Sequence, residues 1–296
     1  MRGIKTSRQD IIFETSSYIL LSVVMLIVLY PLYFVVIASF SEPHMVNIGK
    51  VILLPKNLMF DGYKKVFGYS QLWIGYRNTI IYTVVGTLLD VAVTMLASYS
   101  LSRKKLYGKK IILFYMMFTM YFSGGLIPTF LQMQRLGLYN NWMILVIGGM
   151  VNVTNIIICR TYIMNSIPEE LNDSAFIDGV DHFGNLTKIV MPLSKPIIAV
   201  MVLFFGVAHW NSYWTAMIYI DNRHYYPLQL ILRGILTMNR IDPELITDYD
   251  DVVRQQNMTE LMKYSLIIIS SAPLIIVYPF IQKYFEKGVM IGSIKA

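Results

Sequence analysis

Five stretches of this chain run for nineteen residues or more without a charged side chain, at 15–41, 111–133, 136–159, 196–220 and 264–282. A helix needs about 20 mostly uncharged residues to cross the hydrocarbon core of a bilayer, so each run has the length and character of a span. A sixth stretch, 78–102, has the same length but carries Asp90 near its middle. Barrel strands in an outer membrane would alternate apolar and polar residues over segments of about ten, and no such alternation occurs. With 55% apolar residues and 15% charged, the chain is far from the composition of an ordinary soluble domain. It contains a single cysteine, Cys159, and no glycine period, which excludes disulfide scaffolds and collagen-like folds. The reading is an all-α, polytopic membrane protein of six helices.

Placing the amino terminus in the cytoplasm puts 14 Lys and Arg on the inner side and 11 on the outer. The basic turn 103–110, SRKKLYGKK with its leading serine, is short enough to carry the positive-inside rule, whereas long outer segments translocate regardless of charge. Both termini are therefore expected inside a bacterial inner membrane. The apolar run at 15–41 is too long for a cleavable signal peptide. The division that follows is a cytoplasmic head 1–14, a first span 15–41, an outer loop 42–77, a core 78–282 with an outer loop 221–263, and a cytoplasmic tail 283–296. Pro31 predicts a kink in the first span, and Ser123-Gly124-Gly125 with Pro128 predicts a bend in the third. The apolar stretch 225–236 is too short to cross and reads as a helix at the outer interface or over the mouth of a pathway. The net charge of +7 suits loops held against anionic lipid; no nucleic-acid partner is expected.

The inner segment 166–196 is the most informative. Ser166 followed by Glu169 reads as a capping box that opens a helix ending near Gly179. Phe183, Leu186, Ile189 and Val190 then recur at helical spacing, giving a second short helix closed by Pro192 and Pro196. Two short helices with apolar stripes suit docking into a partner's groove. Asp173-Ser174-Ala175, then Gly179, Ile189 and Met191-Pro192 follow the spacing of the cytoplasmic signature E-A-A, three residues, G, nine residues, I, one residue, L-P. Asp stands for Glu, Ser for the first Ala, and Met for Leu. The chain thus resembles the permease subunits of binding-protein-dependent ABC importers. The wording around the signature, the run HWNSYW at 209–214 and the tail 279–296 are similar to the carbohydrate branch, as in maltose importers.

That resemblance implies a complex: a second, similar permease subunit, two ATPase subunits beneath, and an extracytoplasmic solute-binding protein delivering an oligosaccharide. It makes Glu169, Glu170, Asp173, Ser174, Ala175, Asp178, Gly179, Phe183 and Leu186 candidates for ATPase coupling. Alone, the acids read equally as solvated loop charges, and Phe183 and Leu186 as packing against the chain's own helix ends. No cofactor is expected in this chain; it has no GxxxxGK[ST] loop, and ATP with Mg belongs to the partner ATPases.

Sugars present hydroxyls and apolar ring faces, so a pathway needs amides, hydroxyls and aromatic platforms. The candidates are Asn78, Tyr82, Asn152, Asn155, Trp210, Asn211, Tyr213 and Trp214. Interhelical hydrogen bonding and an aromatic belt account for the same residues. Asp90 is an acid in mid-span, which demands a partner or water. A structural or water-lined role, contact with a partner subunit and proton coupling all fit it; no Lys, Arg or second carboxylate in another span matches it. His209 reads as a lone histidine and not as a metal ligand. Lys283, Lys287 and Lys295 in the tail fit an inner-leaflet clamp or a reach toward the ATPases. Arg233 or Arg240 in the outer loop suits an acidic sugar such as a uronate oligomer, and equally suits water or lipid headgroups. The chain is read as a transport subunit without catalysis of its own, against an ion-coupled secondary transporter or an ABC permease for a non-sugar solute.

Overall fold

The computed structural model describes residues 7–237 and 262–279, which form helices and turns with no strand among them. Two units divide the chain, one of residues 1–69 with 235–271 and the other of residues 70–234 with 272–296.

In the first unit, α1 (Arg8–Ser39) begins seven residues before the expected span. The reason is a capping box further upstream: the Ser7 amide donates to Asp10 Oδ2 at 2.9 Å, and the Gln9 amide to Ser7 Oγ at 3.2 Å. The helix is assigned continuously through Pro31. Its apolar side chains are exposed until the last turn, where Ile37 and Ala38 pack with Val46 of α2 (Pro43–Asn47) and with Val51. An apolar helix exposed along most of its length is the form a lipid-facing span takes. Tyr30 and Tyr33 donate to the carbonyls of Ile52 and Leu53, and Ser39 Oγ meets Tyr63 of α3 (Asp61–Gly68) at 2.8 Å.

The second unit is built on α4 (Ser70–Ser102), which starts eight residues before the expected 78. Its buried positions include Leu72, Gly75, Thr79, Tyr82, Gly86, Asp90, Thr94 and Ser98, spaced three or four apart down one face. Three later apolar runs are interrupted. The run 111–133 becomes α5 (Lys109–Tyr121) and α6 (Leu126–Arg135), bent by 116° where Gly125 takes φ +85°. Only glycine adopts that backbone readily. The run 136–159 becomes α7 (Ile144–Ile147) and α8 (Val153–Ser166), because Asn152 caps α8 by accepting from the Asn155 amide at 3.0 Å. The segment 166–196 holds α9 (Glu169–Ile177), α10 (His182–Asn185), a π turn Leu186–Val190 and α11 (Met191–Leu193). The run 196–220 becomes α12 (Lys195–Trp210) and α13 (Trp214–Tyr219). The outer apolar stretch forms α14 (Leu228–Thr237).

With α15 (Met262–Pro279), three helices are long and apolar enough to cross a membrane, and up to five if each of two bent pairs is one span. The protein is all-α and multi-pass.

Two cores hold the second unit. One packs Met95 and Tyr99 of α4 against Cys159 and Ile163 of α8, Leu186 and Val190, and Met201 and Phe205 of α12. The other packs Tyr82 against Ile144, Leu145 and Val146 of α7 and Ala216 and Tyr219 of α13. Gly86 is where α4 makes room for α12, since a Cβ there would collide with the ring of His209. Overpacking of this kind costs about 1–3 kcal/mol, so Gly86→Val should lower the thermal unfolding midpoint in detergent, and Gly68→Val, in open space, should lower it much less.

Candidate functional site

The segment after α8 forms a compact knob. Ser166 is the last residue of α8 and makes no cap; Pro168 is the N-cap of α9, so the expected capping box is not formed. The helix starts there because Pro168 sits extended, at φ −58° and ψ 142°. At its other end Gly179 takes φ +81°, with the Val180 amide on Ala175 O at 2.9 Å and the Gly179 amide on Phe176 O at 3.1 Å. This is a Schellman stop, and the glycine expectation holds for that reason. Asp181 then caps α10 by accepting from the Gly184 amide at 2.8 Å. Asn185 Nδ2 donates to Asn172 Oδ1 at 3.0 Å, both residues buried, and locks the two helices together.

Of the coupling candidates, Glu170, Asp173, Ser174, Asp178, Gly179 and Phe183 are exposed. Phe183 is 66% exposed and lines an apolar groove with Leu96, Leu186 and Thr187, and Ile177 at the end of α9 is 85% exposed. Ala175 and Leu186 face inward, and Leu186 belongs to the chain's own core. Glu169 is paired with Lys104 of the basic turn, and that hydrogen bond raises the Lys104 pKa. Tyr99 OH meets His182 Nδ1 at 3.3 Å, and Phe176 packs edge-on to the same ring. The Lys104, Asn172–Asn185 and His182 contacts were not anticipated; each joins residues far apart in sequence or on separate short helices.

The pathway candidates fall into three groups. Asn78 Nδ2 donates to His224 O at 2.6 Å and Tyr226 O at 3.1 Å, Tyr82 OH to Tyr225 O at 3.1 Å, and Thr79 Oγ1 accepts from the Leu228 amide at 2.8 Å. These bonds clamp the segment before α14 onto α4, where Gly75 brings Leu228 Cα to 3.1 Å from a would-be Cβ. Asn152 and Asn155 serve the α8 cap, and Asn211 Nδ2 donates back to Val207 O at 2.9 Å. Trp210 is buried with Tyr76 edge-on at 6.4 Å. Tyr213 and Trp214 are 40% and 55% exposed at the break between α12 and α13, and the Arg233 guanidinium lies 5.3 Å from the Tyr213 ring centre.

Asp90 and His209 meet. His209 Nε2 donates to Asp90 Oδ2 at 2.9 Å, with side chains 11% and 3% exposed. The histidine read as lone is the partner the acid lacked. A histidine 119 positions away in another helix is a partner that charge matching along the sequence does not pick out. Among the described residues no group of three His, Cys, Asp or Glu could hold a metal. Arg240, Lys283, Lys287 and Lys295 lie outside the described residues.

A groove of about 1170 Å³ runs in the second unit along α4 and α12 to residues 273–278 of α15. Its walls are apolar, with Val84, Leu88, Met95, Val202 and Leu274 among them, and of the pathway candidates it takes in Trp210 alone. Sugar hydroxyls have little to bind there.

Residues 94–291 match the family of binding-protein-dependent transport system inner membrane components. The chain is 35% identical to the polygalacturonan/rhamnogalacturonan transport system permease protein YtcP of Bacillus subtilis (strain 168), over 96% of this chain and 98% of that one. It is 28% identical to the galactooligosaccharides transport system permease protein GanQ of the same organism, over 94% of each. Among solved structures, a bacterial ABC transporter involved in the import of the acidic polysaccharide alginate matches with a TM-score of 0.86 and 33% identity, covering 96% of this chain and 100% of that one. The chain belongs to the inner membrane components of binding-protein-dependent transport systems, and is the non-catalytic, multi-pass permease subunit of a carbohydrate ABC importer in the inner membrane.

Proposed function

We propose that this permease imports an acidic, uronate-containing oligosaccharide as one half of a two-permease pathway. The observation that carries the substrate class is similarity over almost the whole chain to two proteins named for acidic polysaccharides, polygalacturonan/rhamnogalacturonan and alginate. The exposed Tyr213 and Trp214 supply ring platforms, and Arg233 beside them supplies the positive charge a carboxylate needs.

Six spans follow if α7 with α8 completes the set, and the basic turn 103–110 then lies inside with both termini. The knob at residues 166–196 faces the cytoplasm and docks into ATPase subunits, with a solute-binding protein on the outer side. Exposed Glu170, Asp173, Asp178, Ile177 and Phe183 meet the ATPase. Ala175, Leu186, Asn172 and Asn185 make the knob stiff enough to transmit displacement into α12, and the Glu169–Lys104 pair ties it to α4. Closure of the ATPase pair on ATP then turns the cavity from inward to outward facing.

Mild-detergent copurification from the native membrane should recover a second permease and an ATPase in stoichiometric amounts. A bulky residue at φ +81° is strained by about 1–2 kcal/mol, so Gly179→Val should leave the chain inserted and cut ATPase recovery several-fold. Unchanged recovery would remove the knob from the interface. In vesicles carrying the complex, oligogalacturonate uptake should exceed that of a neutral oligosaccharide of equal length at least tenfold, and Arg233→Gln should narrow that ratio. Equal uptake of both by the unaltered complex would refute the acidic substrate class.

A further inference from the structure

A second polar feature lies along α4, apart from the knob. Thr83, Thr87, Asp90 and Thr94 recur at intervals of four, three and four residues on one face of α4. The Thr83, Thr87 and Thr94 hydroxyls and Asp90 Oδ1 are buried without a hydrogen-bond partner in the protein. Only Asp90 Oδ2 is answered, by His209 Nε2. Two glycines frame the pair. Gly86 leaves the space that the His209 ring occupies, and a Cβ at Gly206 of α12 would come within 3.8 Å of Thr87 Oγ1.

A carboxylate oxygen and hydroxyls buried together without partners require a small polar guest, and water, which bridges about three such groups at a time, is the one that fits. From Thr87 to Thr94 the helix rises about 10 Å, too far for one water to reach both ends, so satisfying both hydroxyls takes at least two, one on each side of Asp90. A metal ion fits less well beside an imidazole N–H directed at the same carboxylate.

We propose that Asp90 and His209, completed by internal waters held by Thr87 and Thr94, form a hydrated latch that makes α4 and α12 move as one body during transport. The two are positioning residues and touch no substrate. The latch matters because α12 continues, through an 85° bend, from the helical segment His182–Leu193. If α12 slid along α4, displacement of that segment would be lost in the slide. The inference does not depend on which sugar is carried or on what the segment docks to.

The test is made on the assembled importer in lipid nanodiscs, with spin labels on Val84→Cys of α4 and Phe204→Cys of α12. The native Cys159 is fully buried and leaves little background. The inter-label distance should be single, narrow and the same with and without ATP and vanadate. Asp90→Val should at least double its width, whereas Asp90→Asn, whose amide oxygen still accepts from His209, should preserve it. Thr87→Val with Thr94→Val keeps shape and removes both hydroxyls, and should broaden the distance by an intermediate amount. A native width in Asp90→Val overturns the latch, and a native width in the double threonine variant removes water from it. Should Asp90→Val fail to assemble, His209→Phe, which keeps a ring and loses the donor, must broaden the distance or the latch is wrong.

Discussion

The polar face of α4 is the constraint on which the second unit depends. A polar group turned toward hydrocarbon is costly, so each one on this span must find its partner inside the protein or in water. Near one end Asn78, Thr79 and Tyr82 take up the segment before α14. In the middle Asp90 holds His209 of α12. Toward the other end Ser98 Oγ donates to Ile156 O at 2.9 Å and Arg160 Nε to Leu101 O at 2.9 Å, fastening α8. One helix thus organises its neighbours by specific bonds where lipid supplies no hydrophobic drive between helices.

Against that continuous helix three of the apolar runs in the second unit are broken, at residues 122–125, 148–152 and 211–213. Irregular backbone within a membrane is tolerated where protein or water satisfies it, and transport subunits need such places. Next to the break before α13 the Arg233 guanidinium lies over the Tyr213 ring; the knob before α12 is stiffened by a Schellman stop and a buried Asn172–Asn185 bond. A stiff knob at one end and an irregular, aromatic end at the other are what a lever acting on a pathway requires.

Much of this was legible in the sequence, and the remainder was hidden for definite reasons. Uncharged runs located the apolar helices of a multi-pass protein, and the spacing around Gly179 located the helix stop, because both are local properties. The run 136–159 looked continuous because apolarity does not register that Asn152 prefers to cap. Ser166 and Glu169 have the spacing of a capping box, but α8 runs on through Ser166 and Pro168 fixes the start of α9. The chemistry of Asn78 and Tyr82 fits a pathway or bonding between helices, and the carbonyl partners they have, nearly 150 positions away, are shown by no local pattern. Asp90 and His209 were each noticed and not joined, since pairing is decided by how α4 meets α12 and by the space Gly86 leaves.

In the proposed function, the exposed face of the knob is where the chemical work of other subunits enters this one. Ile177 is the most exposed apolar side chain there, at 85%, and the native cysteine is buried. The direct measurement is labelling of Ile177→Cys by a membrane-impermeant maleimide in inside-out vesicles, with and without the ATPase subunits. The account predicts rapid labelling of the permease alone and strong protection once the ATPases are bound. Equal labelling in both states, or labelling only from the outer side, would contradict it.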